Sequence, residues 1–355
     1  MNTDTLNINI VKTNNSKLSQ VKWDELQFGR TFSDHMFVMD YKDGKWQNAE
    51  ISEFADLKMS HATSILPYGQ TFFEGMKAAK NETGEIVLFR PEEHAKRFNL
   101  SDERMCMPGV PVDMFIEALR ALLDVDRGWV PQKSGYSLYI RPFMIAMDPY
   151  VGIRPSDTYK FIIFTCPVGA YYSEPVKVKI ETHYSRAVEG GTGFAKAGGN
   201  YAGSLYPAMK GQEEGFRQLI WTDAKEHKYI EESGTMNVLF VIDGKIITPA
   251  SSDTILAGIT RRSVVDIARD WGYEVEERRI SIAEVVEAMK EGRMTEAFGA
   301  GTAATIAQIS AIHSDGVTYD LPPVEGREFS NKVLNYLDEY KTGKAEDKFG
   351  WLLKV

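Results

Sequence analysis

The sequence predicts a mixed α/β protein with two domains. Its 355 residues suit two domains or one large one. Strand-like runs flank two Asp-Gly pairs, Asp43-Gly44 and Asp243-Gly244, and such pairs are typical of β-hairpin turns. Helix-like runs alternate with these strands, and the apolar residues of Val112–Val125 recur at helical spacing. A segment without periodicity, Gly169–Pro175, is the predicted connection between the two halves.

Composition and charge exclude several classes of function. The net charge of −9 disfavours binding to nucleic acid or to an anionic membrane surface. The N-terminal residues lack the apolar core of a signal peptide, and no later apolar run reaches the length of a membrane span. Cys106 and Cys166 are too few for a disulfide framework and too far apart for a metal site, so both are interpreted as buried thiols. We therefore expect a cytoplasmic enzyme without a metal centre.

The elements of the first half follow from hydrophobic periodicity and turn signals. Pro91, followed by Glu92 and Glu93, indicates a helix that starts directly after a strand. In chain order the predicted elements are the strands Phe37–Tyr41, Lys45–Ile51, Thr71–Lys80 and Ile86–Arg90, the helices Glu92–Leu100 and Val112–Val125, and the strands Gly135–Met147 and Tyr159–Pro167.

The second half carries clear helix-end signals. Thr260 is a suitable N-cap and Gly272 a suitable stop for a helix over Ser263–Trp271. Ser281 and Glu284 form a capping box before another helix. The remaining predicted elements are the strands Val176–Ile180, Arg217–Thr222, Asn237–Ile242, Lys245–Thr248 and Tyr273–Arg279, and the helices Gly203–Gly211, Ile282–Glu291 and Glu325–Lys341.

The chain is organised around Glu189–Ser204, which reads EGGTGFAKAGGNYAGS. Glycine costs backbone entropy on folding, so this density of glycine indicates that another molecule approaches the backbone closely. Lys196, between Ala195 and Ala197, is a candidate amine nucleophile that forms a Schiff base with a carbonyl compound or with pyridoxal phosphate. The alternative is a solvated lysine on a flexible loop.

Two arginines are candidates for anion binding. Arg90 lies between a strand end and a helix start, where backbone amides also attract anions, and an ordinary surface salt bridge is the alternative. Tyr139 and Arg141 share one face of a strand because of its two-residue period, so both can donate to a carboxylate. Alternatively, Arg141 points to solvent.

Pyridoxal phosphate has requirements that these residues can meet. Its ring nitrogen needs an acid, and the pattern leaves this role open between Glu231 and Glu232. No GxGxxG unit, P-loop or HExxH motif indicates a nucleotide or metal site instead. Candidates for the phosphate are Arg90, Gly258–Thr260 and Thr302, and the candidate for the phenolate oxygen is Tyr201.

Eight runs occur in the order PYGQTFFEGMKA, VLFRP, LYIRP, CPVGAYY, AKAGGNYA, EESGTMN, AGITRRS and FGAGTAA. As a set they closely resemble the branched-chain-amino-acid aminotransferases, which are class IV aminotransferases and pyridoxal phosphate enzymes of fold type IV. The resemblance runs from about Phe28 to the C-terminal helix, which is nearly the whole chain.

The resemblance implies a fold and an assembly. It implies a smaller N-terminal α/β domain and a larger C-terminal domain with a barrel-like β core that binds pyridoxal phosphate. The expected limits are a polar tail over 1–20, the small domain over 21–170, a connection over 171–181 and the large domain over 182–355. The family is at least dimeric, so we expect a homodimer or a higher homo-oligomer in which Tyr68 acts across the interface.

The resemblance also implies the cofactor contacts. Lys196 would be the catalytic residue and would carry the cofactor as a Schiff base. Glu232, rather than Glu231, would pair with the ring nitrogen. The other contacts would be Arg90, Ile259, Thr260 and Thr302 at the phosphate and Tyr201 at the phenolate oxygen.

The implied substrates are L-leucine, L-isoleucine and L-valine, with 2-oxoglutarate as the amino acceptor. The products would be branched-chain 2-oxo acids and L-glutamate, and Arg141 would bind the distal carboxylate of glutamate. The α-carboxylate would meet Tyr139 and the amides of Thr302 and Ala303, and the apolar side chain would lie against Tyr68, Phe73 and Tyr171.

Two other functions stay open on the sequence. The nearest is another fold-type IV activity, that of a D-amino-acid aminotransferase or an aminodeoxychorismate lyase. The aliphatic and aromatic wall, together with Tyr139 and Arg141, favours the branched-chain substrates. The second is an inactive binding protein on the same scaffold, which the full set of cofactor partners disfavours.

Overall fold

The computed structural model of the protein describes residues 6–169 and 174–355. The chain forms two compact units. The first consists of Met1–Tyr171, Ala195–Gly198 and Glu339–Val355, and the second of Tyr172–Phe194 and Gly199–Asp338. Lys196 thus belongs to the first unit, although the sequence on either side of it belongs to the second. The domain limits expected from the sequence stay a prediction.

The first unit is a sheet with helices packed on it. Its strands are β1 (Asn9–Ile10), β2 (His35–Lys42), β3 (Lys45–Glu53), β4 (Thr71–Phe73), β5 (Met76–Lys80), β6 (Ile86–Phe89), β7 (Ser137–Ala146), β8 (Tyr159–Val168) and a C-terminal strand, Leu352–Lys354. Its helices are α1 (Ile65–Tyr68), α2 (Pro91–Arg104) and α3 (Val112–Val125).

The strand order of this sheet is β1-β3-β2-β8-β7-β5-β6 and then the C-terminal strand, with β4 paired to β7. The predicted hairpin between β2 and β3 is confirmed, since Asp43 and Gly44 have φ angles of 54° and 75°, as its tight turn requires. The ring of Phe98 on α2 packs against that of Phe161 on β8, with 5.2 Å between the ring centres. This packing holds α2 against the sheet, and α2, β4 and β7 carry the site residues of this unit.

The second unit is also built around a β-sheet. These are β9 (Val176–Ile180), β10 (Gln218–Thr222), β11 (Ile230–Ser233), β12 (Met236–Ile242), β13 (Lys245–Thr248), β14 (Val275–Glu277), β15 (Met294–Gly301), β16 (Thr305–Ser314) and β17 (Val317–Asp320). The helices are α4 (Gly198–Glu213), α5 (Ile259–Asp270), α6 (Ile282–Lys290) and α7 (Phe329–Lys341).

The sheet of the second unit closes on itself. Its strand order is β11-β10-β9-β16-β15-β12-β13-β14, and β11 also pairs with β12, where Glu232 lies opposite Asn237. Strands β11, β10, β9, β16, β15 and β12 therefore form a ring, which confirms the barrel-like β core. Buried residues such as Val178, Ile220 and Val238 belong to its hydrophobic core.

The start of α5 differs from the prediction. The helix begins at Ile259, and its N-cap is Gly258 rather than Thr260, which lies inside the first turn. A side chain at the cap would require Asn237 to move, because a Cβ on Gly258 would lie 1.8 Å from Oδ1 of Asn237. The close approach of Asn237 thus favours glycine at the cap, and a cap rule based on residue type alone misses this.

The other local signals give mixed results. The capping box of α6 is confirmed, because Oγ of Ser281 accepts the N–H of Glu284 over 3.1 Å. Cys166 is buried as expected, but Cys106 is exposed, so the interpretation of both cysteines as buried thiols is wrong for Cys106. Cys106 follows the end of α2 with a φ angle of 54°, in a turn that directs it outward.

Within residues 6–169 and 174–355, no helix combines the length and the apolarity needed to cross a membrane. The same part of the chain contains no group of three or more His, Cys, Asp or Glu side chains that could hold a metal ion.

Candidate active site

The backbone of Lys196 is held on both sides in the first unit. Its N–H donates to Oγ of Ser101 on α2 over 3.0 Å, and its carbonyl accepts the N–H of Phe73 over 3.2 Å. The flanking residues Ala195 and Ala197 are buried. A lysine held in this way presents its amine from a fixed base, and it is not the solvated loop lysine of the alternative interpretation.

The ring of Phe73 brings the amine of Lys196 close to a second cation. Nζ of Lys196 lies 5.0 Å from the ring centre, and the guanidinium carbon of Arg141 lies 4.5 Å from it. Nη2 of Arg141 in turn donates to Oη of Tyr139 over 2.9 Å. The structure therefore brings together four of the predicted residues, and Arg141 does not simply point to solvent.

Tyr139 depends on a glycine for its position. A Cβ on Gly75 would lie 2.0 Å from Oη of Tyr139, so no larger residue fits there without moving the tyrosine. Tyr139 itself is buried on β7 and packs against the ring of Phe28, with 5.0 Å between the centres. Phe73 thus supplies the ring beside Arg141, and Gly75, two residues later, leaves the space that Tyr139 occupies.

Arg90 is the N-cap of α2 and has a left-handed backbone conformation, with a φ angle of 51°. Its N–H donates to the carbonyl of Trp351 over 2.7 Å, and its guanidinium lies 4.6 Å from the centre of the Trp351 ring. The residue is buried, so it is not an arginine of an ordinary surface salt bridge. A buried cation at the start of a helix suits an anionic ligand.

Two predicted substrate contacts are not part of this cluster. Tyr68 ends α1, and its side chain is 42% exposed, so it does not form a closed wall within this unit. Tyr171 lies outside the described residues.

In the second unit, the carboxylate of Glu232 is fixed by its surroundings. Oε2 lies 2.9 Å from Nε of Arg186, and Oε1 accepts the N–H of Leu256 over 2.8 Å. Nδ2 of Asn237 also donates to Oε1 over 3.2 Å. Tyr201 on α4 lines the same recess as Glu232 and Arg186. The acid predicted for the ring nitrogen and the phenol predicted for the phenolate oxygen therefore share one recess.

Glu231 faces the opposite side of β11, because neighbouring residues of a strand alternate in direction. It lines a separate cavity of about 650 Å³, where its Oε1 accepts from Oγ1 of Thr254 over 2.6 Å. Burial raises the pKa of Glu231 to about 7, and the charge of Glu232 acts in the same direction. The pattern alone left the choice between the two acids open, and the recess that contains Tyr201 favours Glu232.

The start of α5 and the turn after β15 lie near Asn237. Nδ2 of Asn237 also donates to the carbonyl of Leu256 over 3.0 Å, and its Oδ1 lies against Gly258, which precedes Ile259 and Thr260. On the other side, Asn237 pairs with Ala300 on β15, two positions before Thr302. Thr302 and Ala303 lie in the turn between β15 and β16 and are half-buried. This end of the barrel thus gathers the candidate contacts of the second unit.

Several residues that contact the predicted site residues are not predicted from the sequence. Arg186 lies in a stretch without periodicity, and its partner Glu232 is distant in sequence, so no local signal links them. Asn237 looks like a strand residue, yet its side chain contacts Glu232 and Gly258. Ser101 could have been found, because it lies on the helix that follows Arg90 at a multiple of the helical repeat.

These residues fit pyridoxal phosphate in their chemistry. Lys196 is half-buried, and the acid Glu232 is held by a cation and by N–H groups. In the described part of the chain no side chain caps α5, so the amides of its first turn can serve an anion. Each chemical group that the cofactor needs is therefore present among the described residues.

Known proteins match the chain over its length. The family described as amino-transferase class IV matches residues 71–312. Branched-chain-amino-acid aminotransferase 2 of Bacillus subtilis (strain 168) is 42% identical over 359 residues, which cover 100% of this chain and 98% of that protein. A solved branched-chain aminotransferase from the thermophilic archaeon Thermoproteus uzoniensis, with norvaline, has a TM-score of 0.75 at 25% identity and covers 90% of this chain and 99% of that chain.

A second solved structure is a branched-chain amino acid aminotransferase from T.th. with pyridoxamine 5'-phosphate, which has a TM-score of 0.74 at 26% identity. The match covers 89% of this chain and 97% of that chain. These similarities confirm the predicted family, the fold type and the enzyme class, and the family implies pyridoxal phosphate as the cofactor. The chain belongs to the class IV aminotransferase family, among its branched-chain-amino-acid aminotransferases.

Proposed function

We propose that the enzyme transfers the amino group of L-leucine, L-isoleucine and L-valine to 2-oxoglutarate, giving branched-chain 2-oxo acids and L-glutamate. Lys196 would hold pyridoxal phosphate through a Schiff base. The observation that carries the proposal is the ring of Phe73, which faces Nζ of Lys196 at 5.0 Å and the guanidinium of Arg141 at 4.5 Å. One apolar surface thus lies beside the reacting amine and beside a cation for the second substrate.

Pyridoxal phosphate, when bound, supplies a protonated ring that withdraws electrons from the substrate α-carbon. We assign the ring nitrogen to Glu232, because Arg186 and the Leu256 amide hold its carboxylate in place. The pyridoxamine 5'-phosphate in the solved T.th. enzyme supports this cofactor. The remaining assignments are Tyr201 at the phenolate oxygen and Arg90, Ile259, Thr260 and Thr302 at the phosphate.

Lys196 is the proposed catalytic residue. With pyridoxal phosphate bound, its Nζ would accept the proton from the substrate α-carbon and would return a proton to the cofactor carbon. Ser101 and Phe73 hold the backbone of Lys196, so only the flexible side chain has to move during this transfer. The fixed backbone limits the range of positions that Nζ can take during this transfer.

The substrate contacts are assigned from the arrangement of Tyr139 and Arg141 beside the ring of Phe73. Tyr139 accepts a hydrogen bond from Arg141, so its own O–H is free to donate to the substrate α-carboxylate, together with the amides of Thr302 and Ala303. Arg141 keeps further N–H donors for the distal carboxylate of glutamate. The norvaline in the Thermoproteus uzoniensis structure supports an apolar amino acid as substrate. The apolar side chain is assigned to Tyr68, Phe73 and Tyr171.

We also propose a homodimer, or a higher homo-oligomer, in which Tyr68 serves the neighbouring subunit. Val151 and Ile153 are 79% and 96% exposed in a loop of the first unit, and Leu205 on α4 is 68% exposed in the second. Two strongly exposed apolar residues in one loop are candidates for a contact with another subunit, because contiguous apolar patches mark interfaces. Light scattering of the protein and of an Ile153→Asp variant tests this, with a dimer expected for the former and a weakened one for the latter.

Two further parts of the proposal concern the whole chain. We propose a cytoplasmic location, which is supported by the composition and by the small number of cysteines. We also propose the domain limits 21–170 and 182–355, with a tail over 1–20 and a connection over 171–181.

A coupled assay tests the proposed reaction. With pyridoxal phosphate, L-leucine and 2-oxoglutarate, the enzyme should produce L-glutamate and 4-methyl-2-oxopentanoate in equal amounts. L-Isoleucine and L-valine should react as well, and D-alanine should not. Consumption of D-alanine alone, or cleavage of aminodeoxychorismate, would replace the proposal with one of the two related activities.

A further inference from the structure

A buried ion pair lies next to the contacts of Lys196 in the first unit. Glu74 follows β4 and is fully buried, and its carboxylate accepts from Nε and Nη2 of Arg97 over 2.6 and 2.9 Å. Oε2 of Glu74 also accepts the N–H of Gly75 over 3.1 Å and lies 2.8 Å from Nδ1 of His94. Burial acts to raise the pKa of Glu74, but Arg97 and His94 lower it well below its usual value, so the carboxylate is ionised.

The ion pair joins the two elements that hold the Lys196 backbone. Phe73, which donates to the carbonyl of Lys196, is the residue directly before Glu74. Ser101, which accepts from the N–H of Lys196, lies one helical turn after Arg97 on α2. The hydroxyl of Ser101 donates to the carbonyl of Arg97 over 3.2 Å, so its lone pairs stay available to the lysine N–H. Glu74 and Arg97 therefore connect the end of β4 to α2 near Lys196, beside the packing of Phe72 on Phe98, whose ring centres are 4.5 Å apart.

The same face of α2 carries the candidate phosphate residue. Arg90, His94, Arg97 and Ser101 follow one another at intervals of four, three and four positions, which places them on one side of the helix. All four residues are buried. The positive charge of Lys196 acts to lower the pKa of His94, although burial is the largest cause of that shift, so the lysine lies within electrostatic reach of this face. A displacement of α2 would therefore move Ser101, which contacts Lys196, together with Arg90.

A buried ion pair is weak evidence for a stabilising role. Two charges lose their hydration on burial, and an uncharged pair of similar volume often supports the fold equally well. What an uncharged pair does not reproduce is the fixed fork of an arginine on a carboxylate, with its two parallel hydrogen bonds. Replacing both charges therefore separates a role of Glu74 and Arg97 in geometry from a role in stability.

We propose that Glu74 and Arg97 are positioning residues for Lys196. Their ion pair holds β4 against α2, so that Phe73 and Ser101 orient the lysine and its amine reaches the substrate α-carbon. This inference rests on the proposed function of Lys196 and assigns a role to two residues that touch neither substrate nor cofactor in that proposal.

The test compares an uncharged pair with the native one. The double variant Glu74→Gln/Arg97→Met removes both charges and should fold even if Glu74→Gln alone does not. Arg97→Lys keeps the charge but loses the fork. Glu296→Gln is the matched control, because Glu296 is a buried carboxylate of the second unit that accepts the N–H groups of Phe329 and Ser330.

Two readouts are needed, one of which does not involve catalysis. In the protein without cofactor, hydrogen exchange of the Lys196 amide should become at least about tenfold faster in the double variant and should stay unchanged in Glu296→Gln. In the loaded enzyme, kcat with L-leucine should fall about 100-fold in the double variant, with KM within about twofold of the native value. The kcat of Arg97→Lys should lie between that of the double variant and that of the native enzyme.

A double variant that is as stable as the native protein, with native exchange at Lys196 and native kcat, would overturn the proposal. The proposal would also be overturned if kcat and the protection of the Lys196 amide fell in proportion to the melting temperature, and equally in the double variant and in Glu296→Gln. Such a result would indicate that the pair of Glu74 and Arg97 is purely structural. If the native protein binds no pyridoxal phosphate, the proposed function fails, whereas the exchange rates still decide whether Glu74 and Arg97 position Lys196.

Discussion

Nη2 of Arg141 donates to Oη of Tyr139 over 2.9 Å, and both side chains lie on the same face of β7. This bond leaves each of the two side chains a separate role in binding. Arg141 uses one of its five N–H groups, so others stay available for a carboxylate, while the Tyr139 hydroxyl keeps its own proton for donation. The two substrates of the proposed reaction differ in the group that Arg141 would bind, since only glutamate and 2-oxoglutarate carry a second carboxylate.

Arg141→Met therefore should separate the two half-reactions. Loss of a charge-assisted contact should lower kcat/KM for L-glutamate about 100-fold, whereas the L-leucine half-reaction should change less than about tenfold. Single-turnover kinetics of each half-reaction provide the measurement, and Arg141→Lys serves as the charge-preserving control. Equal losses for both amino acids would mean that Arg141 does not distinguish them.

Gly75→Ala tests the position of Tyr139. The new Cβ would approach Oη of Tyr139 to 2.0 Å, so the tyrosine must move and its bond to Arg141 must change. We expect kcat/KM for both substrates to fall at least about tenfold, because a small misplacement of a binding group is costly. Gly326→Ala is the matched control, since Gly326 lies outside the glycine-rich segment and a Cβ there would have open space around it. Similar steady-state constants in the two variants would contradict this account.

Glu232→Gln should weaken catalysis without releasing the cofactor. Gln cannot keep the ring nitrogen protonated, so kcat should fall about 100-fold or more while the protein still binds pyridoxal phosphate. Glu231→Gln, one residue away on the other face of β11, should stay within about threefold of the native kcat. Parallel assays and absorbance titrations with the cofactor measure both effects. A larger loss in Glu231→Gln than in Glu232→Gln would reverse the assignment of the two acids.

Asp102 predicts a pH dependence of stability. It is buried on α2, its Oδ2 has no hydrogen-bond partner among the described residues, and burial raises its pKa to about 7. The folded state therefore binds this proton more tightly than the unfolded state, and the free energy of unfolding falls as the pH rises from about 4 to about 7.

Asp102→Asn removes this titration. The variant should raise the free energy of unfolding by about 1 kcal/mol at pH 8 and should change it less at pH 4. Urea denaturation at the two pH values measures the difference. A gain that is larger at pH 4 than at pH 8 would show that Asp102 titrates in the other direction.

Local signals predicted the elements that depend on neighbouring residues. Asp243 and Gly244 have φ angles of 52° and 75°, as a two-residue hairpin turn requires, and the Asp-Gly pair predicts this turn from the sequence. The apolar spacing of Val112–Val125 predicted α3 with its observed limits. In both cases the physical cause lies within the segment, so no knowledge of the remaining fold is needed.

The candidate site was predicted in its residue types and only partly in its geometry. The period of a strand shows that Glu231 and Glu232 face opposite sides, but it does not show which side leads to Tyr201. The family resemblance selected Glu232, and the contact with Arg186 agrees with that choice. The Arg186 contact itself is a pairing between distant segments, which the sequence pattern does not encode.

Two other features also depend on contacts between segments that are distant in the sequence. The sequence pattern does not predict them, because it does not encode such contacts. The cap of α5 is Gly258 rather than Thr260, and Asn237 occupies the space that a side chain at position 258 would need. The pair of Glu74 and Arg97 joins a strand end to a helix, and neither residue is unusual in its own segment. Burial and distance, rather than residue type, reveal these relationships.

The covalent bond to the cofactor is the most direct test of the account. The protein is loaded with pyridoxal phosphate, reduced with borohydride and digested, and the labelled peptide is identified by mass spectrometry. The account predicts one label, on Lys196, and no label in Lys196→Ala. A label on another lysine, or none in the native protein, would contradict the proposed reaction and the roles assigned to the residues around Lys196.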